Sequence, residues 1–159
     1  MFHDFIKIRG YQIIDEDKMI AFDPRNNFKV QIVITNEKLD MSFFHIKRSE
    51  IEDDIQHLIF IYKIATIQIK KLRTYKNTLR LELFFENELK RLLNGNRLIP
   101  PHIRISKEEQ DVIIKKFGKE NLPLILHTDP IVRLYDFDVD SIILIQRKNG
   151  IYYRLVSSE

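Results

Sequence analysis

The chain has no cysteine among its 159 residues, which closes off a disulfide framework, a thiolate zinc site and any structural zinc ribbon. Long apolar runs are missing too. The longest, Leu58-Ile59-Phe60-Ile61-Tyr62, falls far short of the roughly 20 residues a membrane span needs, so no membrane partner is expected. Asp4 and Lys7 break the stretch that a secretory leader would keep apolar, and an intracellular protein is the expectation. The histidines His3, His45, His57, His102 and His127 include no pair spaced i, i+4, so a helical histidine metal site is not indicated and no cofactor is expected. Charge of one sign is also scarce: the formal net charge is +3, with bases and acids nearly balanced in both halves. Any contact with nucleic acid therefore has to be local.

What is present is 44% hydrophobic residues, enough for one ordinary domain or two small ones. No repeat or low-complexity stretch appears, so turn chemistry has to supply the division. Asn94-Gly95-Asn96 followed by Pro100-Pro101 joins residues that accept left-handed backbone to residues held extended, which predicts an N-terminal domain over 1–95 and a C-terminal domain over 96–159.

In the first domain, Phe2 to Ile8 reads as a helix stopped by Arg9-Gly10. Val30 to Thr35 is β-branched and mostly apolar, which predicts a central strand covered on both faces. Ser49-Glu50-Ile51-Glu52 has the form of a capping box with Ile51, Ile55 and Leu58 at helical spacing, so a helix is expected to start near Ser49. Leu58 to Tyr62 reads as a strand, Thr66 to Tyr75 as a helix, and Leu79 to Leu89 as strand and helix without a clear division. Strands alternating with short helices indicate an α/β layer.

In the second domain, Ser106-Lys107-Glu108-Glu109 is another capping box, and its helix is expected to end at Gly118. Asp129-Pro130 starts a short helix running to Tyr135, with aspartate as N-cap. Two strands flank Asn149-Gly150, both of which can take positive φ, so the chain is expected to finish in a β-hairpin. This half reads as a small α+β domain with a mixed sheet, and the whole chain as α+β.

Three patterns invite chemistry. Asp136-Phe137-Asp138-Val139-Asp140 alternates acids as metal loops do, but a calcium loop would need glycine where Ser141 stands and glutamate where Arg147 stands, so a solvated acidic loop is expected. Glu16-Asp17-Lys18 and Glu88-Leu89-Lys90 have the short spacing of a metal-dependent nuclease, but neither lies in an apolar strand behind a well-placed aspartate. Lys70, Lys71, Arg73 and Lys76, in a stretch without acids, can either meet the phosphates of DNA or form a solvated helix face.

Taken in order, Leu98-Ile99-Pro100-Pro101-His102, Leu122-Pro123-Leu124-Ile125, Asp129-Pro130-Ile131-Val132-Arg133-Leu134-Tyr135 and Tyr153-Arg154-Leu155-Val156 resemble the C-terminal domain of the RNA polymerase subunit called H in archaea and the fifth subunit in eukaryotes. Arg9-Gly10-Tyr11 and Leu81-Glu82-Leu83-Phe84 with Glu88-Leu89 resemble the N-terminal domain of the eukaryotic form, here shortened. The chain departs from the family at Asn96, where the first signature histidine is lost. It also differs at Leu124, where arginine is usual, at Asp136 and Asp140, where glycines are usual, and in its shorter hairpin.

The resemblance implies a non-catalytic subunit of a DNA-directed RNA polymerase. Its C-terminal domain would dock on the largest subunit, among other polymerase subunits, and its N-terminal domain would stand as a jaw near downstream DNA. It places the protein in the nucleus, or in the cytoplasm or virion if the chain is viral. A free-standing regulator that engages polymerase by mimicking the subunit is the alternative. Pro100, His102, Pro130, Arg133, Tyr135, Arg147 and Arg154 are the interface candidates, arginine and tyrosine being the residues that dominate protein interfaces. His102 is expected to position its neighbours through hydrogen bonds.

Overall fold

Helix α1 (Phe2–Arg9) ends where Gly10 takes φ 68°: the Gly10 and Tyr11 amides turn back onto the carbonyls of Lys7 and Ile6, the double closure that a left-handed glycine permits. The structure is a computed structural model and describes residues 1–64, 66–74, 79–94 and 99–158, apart from the side chains of Lys70, Arg73 and Thr74. The chain forms two compact units, Met1–Leu93 and Asn94–Glu159. No helix among the described residues is long and apolar enough to cross a membrane.

In the first unit, α1 is followed by β1 (Gln12–Asp15), β2 (Ile20–Asp23), β3 (Phe28–Lys38), α2 (Met41–Glu50), β4 (His57–Ile64), α3 (Ile69–Thr74), β5 (Arg80–Phe85) and α4 (Glu86–Leu93). The sheet runs β1-β2-β3-β4-β5, antiparallel from β1 to β3 and parallel from β3 to β5, with α2 and α3 as the crossovers. Alternation along β4 divides the core. Leu58, Phe60 and Tyr62 pack with Phe44 of α2 and with Ile69 and Leu72 of α3. His57, Ile59 and Ile61 point the other way, beside Glu82 and Phe84 of β5, and Phe84 meets Phe5 of α1 edge to face at 5.5 Å. β3 is central in strand order, as its composition suggests. The strand sealed on both faces, however, is β4, buried from His57 to Tyr62, whereas Gln31, Val33 and Ile34 of β3 are half-buried.

The expected helix start at Ser49 is wrong. Ser49 lies in the last turn of α2, with its hydroxyl donating to the carbonyl of Ile46, and the N-cap is Asp40, whose carboxylate accepts from the Phe43 amide. A serine followed by an acid three residues on fits a late helical turn as well as a first one. The burial of Phe44 decides where this helix lies.

The second unit contains β6 (His102–Arg104), α5 (Lys107–Phe117), a 3-10 turn (Lys119–Asn121), β7 (Leu124–Leu126), α6 (Pro130–Tyr135), β8 (Ile142–Arg147) and β9 (Gly150–Ser157). Its sheet order is β6-β8-β9-β7, with β7 parallel to β9 and the other pairs antiparallel. Both units are therefore mixed sheets with helices, an α+β protein. α5 covers one face of the second sheet through Ile113 against Ile142 and Leu155, and α6 covers the other through Val132 against Ile143, Ile145 and Val156. The capping box at Ser106 is complete in both directions, and Asp129 caps α6 through the Ile131 amide. The terminal hairpin forms one residue out of the expected turn. Arg147 pairs with Gly150, so Lys148 and Asn149 make the loop, and Gly150, at φ 144°, opens β9.

Candidate functional site

Register decides which candidates meet. His102 lies opposite Ile145, which lies opposite Tyr152; Arg104 lies opposite Ile143, which lies opposite Arg154; Arg147 follows Ile145 two residues on. Directly opposed residues share a face, so all of these stand on the side of the sheet that α6 covers. At the end near the hairpin loop that cover gives out, leaving Arg147 and Tyr152 exposed and His102 and Arg154 half-buried.

The surface is internally braced. The Arg147 guanidinium lies 5.2 Å over the Tyr152 ring. Arg154 donates to the Leu124 carbonyl at 2.8 Å, occupying an acceptor on the edge strand β7. Nδ1 of His102 is 2.7 Å from the Pro100 carbonyl, which can only accept, so Nδ1 carries the proton. Burial lowers the His102 pKa; the hydrogen bond to Pro100 and the charge of Asp129 oppose the shift, and Arg147 and Arg154 reinforce it. A neutral ring with its Nε2 lone pair unprotonated therefore sits among guanidinium groups.

The seven interface candidates divide into two groups. His102, Arg147 and Arg154 come together, with Pro100 joined to them through its carbonyl. Pro130 opens α6 behind the Asp129 cap. Tyr135 is turned toward the core, stacked on Phe137 at 5.4 Å and packed with Val132 and Ile143, and Arg133 is half-buried on the same helix. Tyr152 belongs to the surface and sequence reasoning missed it; alternation outward from Ile145 was the signal available.

The acidic loop is held by neighbouring cations. Asp136 takes the left-handed conformation after α6, and Arg104 donates to the carbonyls of Asp136 and Tyr135 and, at 2.7 Å, to the carboxylate of Asp138. Lys119 pairs with Asp140 at 3.2 Å. Among the described residues no group of three or more His, Cys, Asp or Glu is arranged to hold a metal. The nuclease-like triplets are likewise engaged, with Glu16 meeting His3, Lys18 meeting Glu52 and Lys90 meeting Glu86.

In the first unit, Lys71 is exposed on α3, whose Ile69 and Leu72 are buried. The side chains of Lys70 and Arg73, and all of Lys76, lie outside the described residues. The unit also holds a buried ion cluster. The fully buried Arg9 side chain grips Glu82 with two hydrogen bonds, 3.2 and 2.6 Å, and donates to the Tyr11 hydroxyl at 3.1 Å. Arg80 and His57 reach the same carboxylate at 3.1 and 3.0 Å, the histidine off the line of a good hydrogen bond. Burial by itself would raise the Glu82 pKa. The charge of Arg9, the approach of His57 and the hydrogen bonds from Arg9 outweigh it and hold the carboxyl far below its usual range.

Residues 92–156 match the family described as RNA polymerase Rpb5, C-terminal domain. The chain is similar to the DNA-directed RNA polymerase subunit Rpo5 of Methanothrix thermoacetophila, 37% identical over 71 residues, which cover 40% of this chain and 91% of that protein. It is also similar to the subunit Rpo5 of Archaeoglobus fulgidus, 37% identical over 71 residues, 40% of this chain and 93% of that protein.

Proposed function

This chain belongs to the Rpb5 family of DNA-directed RNA polymerase subunits, and from that premise we propose that it is a non-catalytic subunit that docks on the largest polymerase subunit through its second unit and sets its first unit beside downstream DNA. As a polymerase subunit it has other polymerase subunits as partners. The observation that carries the docking reading is the gathering of His102, Arg147, Tyr152 and Arg154 at one end of one sheet face, inside the span that matches the family. Arginine and aromatic side chains on a rigid strand pair are what interface energetics favour: they bring large contact area and directional donors at little loss of conformational freedom.

The first unit supplies the jaw in this reading. Its parallel strands carry α3 and the exposed Lys71, and the buried Arg9–Glu82 cluster ties α1 to β5 so that the unit acts as a solid body. Chemistry on nucleotides belongs to the rest of the enzyme. The test is to tag the chain in its native setting, purify active polymerase and quantify its subunits by mass spectrometry, with crosslinking to locate contacts. Stoichiometric recovery with crosslinks from the second unit to the largest subunit supports the proposal. Substoichiometric recovery makes the chain a free-standing regulator, and crosslinks confined to other subunits move the docking site.

A further inference from the structure

We infer that the end of the second unit's sheet formed by Arg147, Tyr152, Arg154 and His102 receives a carboxylate-bearing, extended segment of the partner protein; this rests on the docking reading and specifies what docks. Residues 141–158 contain Arg147, Lys148 and Arg154 and no acid. Elsewhere in the same unit two exposed cations are matched internally, Arg104 by Asp138 and Lys119 by Asp140. Arg147 has no ion-pair partner among the described residues. The carboxylate of Asp129, which acts on His102, is committed to the α6 amide of Ile131 at 2.8 Å. Arg147, exposed and without an ion pair among the described residues, is therefore open to a carboxylate from outside the chain.

The geometry narrows what that is. The Arg147 guanidinium stands over the Tyr152 ring, which restrains the side chain while its N–H donors remain available to a carboxylate, the group a guanidinium grips through two parallel hydrogen bonds. Because the ring already holds the side chain, little rotamer freedom is lost when a ligand arrives. Nε2 of His102 adds an acceptor, suited to a backbone amide beside the acidic side chain. A nucleic acid fits less well. Phosphate binding gains affinity by neutralising many charges, whereas this surface offers Arg147, Lys148 and an Arg154 already donating to the Leu124 carbonyl, next to an exposed aromatic ring.

The experiment compares the full-length chain with Arg147→Glu, Arg147→Lys and, as a control for charge alone, Lys115→Glu on the exposed side of α5. Each tagged variant is expressed in the native setting, and its occupancy on purified polymerase is followed through a salt gradient. In parallel, the isolated full chains are titrated with a fluorescein-labelled hexaglutamate peptide and with a labelled single-stranded thymidine oligonucleotide. The expected result is that Arg147→Glu lowers occupancy and hexaglutamate affinity by about tenfold or more, the scale of one charge-assisted pair lost and a repulsion gained. Arg147→Lys should fall between, and Lys115→Glu should behave as wild type. Thermal melting checks that the variants fold, as an exposed position allows. Wild-type chain on the polymerase with Arg147→Glu equally well retained overturns this inference and leaves the docking reading intact. Wild-type chain missing from the polymerase overturns the docking reading and this inference with it. Oligonucleotide binding that depends on Arg147, without hexaglutamate binding, overturns the acidic-segment assignment in favour of nucleic acid.

Discussion

Arg9 and Glu82 stand 73 positions apart in sequence and are joined by a buried ion pair with two hydrogen bonds. Removing one partner of a buried pair leaves the other charge without compensation, so Glu82→Ala is expected to cost about 3–5 kcal/mol, read as a lower urea midpoint. An unchanged midpoint would show that the cluster does not hold α1 to the sheet. The same carboxylate sets an acid limit. Its folded pKa is depressed, so its stabilisation is complete above the unfolded value near about 4.3 and is lost as pH falls below that toward the folded one. Wild type should therefore lose stability steeply below about pH 4, and Glu82→Gln should show a shallower acid slope; parallel slopes in acid titrations followed by circular dichroism would contradict this. At the other end of the chain, a Cβ built on Gly150 meets no neighbour, but φ 144° is poorly accessible to L side chains. Gly150→Val should cost about 1 kcal/mol or more through the backbone alone, and an unaltered melting curve would refute that.

Elements whose limits are set by adjacent residues were legible in the sequence, and those set across the fold were not. Gly10, Ser106 and Asp129 terminate or start helices through hydrogen bonds to residues at most five positions away, and each behaves as its sequence pattern indicates. Ser49 carries the same local pattern as Ser106, yet lies at the wrong end of its helix, because Asp40 caps α2 and the burial of Phe44 fixes its position. The hairpin was foreseeable from Asn149-Gly150, but its register was not: pairing of Ile145 with Tyr152, with Ile145 in the core, places the loop one residue earlier. The candidate surface was half visible. Arg147, Arg154 and His102 could be named from the chain, whereas Tyr152 enters only through its strand partner. Tyr135, named as a contact residue, spends its ring on Phe137. At this scale Ser106→Ala should destabilise α5 by about 1 kcal/mol, since both halves of its capping box are made, and an unchanged denaturation midpoint would argue against that.

At the scale of the molecule, the family match lies almost wholly in the second unit, and in the first unit Arg9-Gly10-Tyr11 and Leu81-Glu82-Leu83-Phe84 are the two sides of one ion cluster. If the first unit stands beside downstream DNA, reversing charge at Lys70 and Lys71 should weaken photocrosslinking of DNA ahead of the active centre while leaving the chain on the enzyme; equal crosslinking would put those lysines on a solvated face. All of this depends on the chain being a working part of the enzyme. Polymerase purified through the tagged largest subunit, assayed for RNA synthesis and weighed intact by native mass spectrometry, should contain this chain at one copy per enzyme, crosslinked through its second unit. Fully active, intact enzyme whose mass has no room for it would contradict the account.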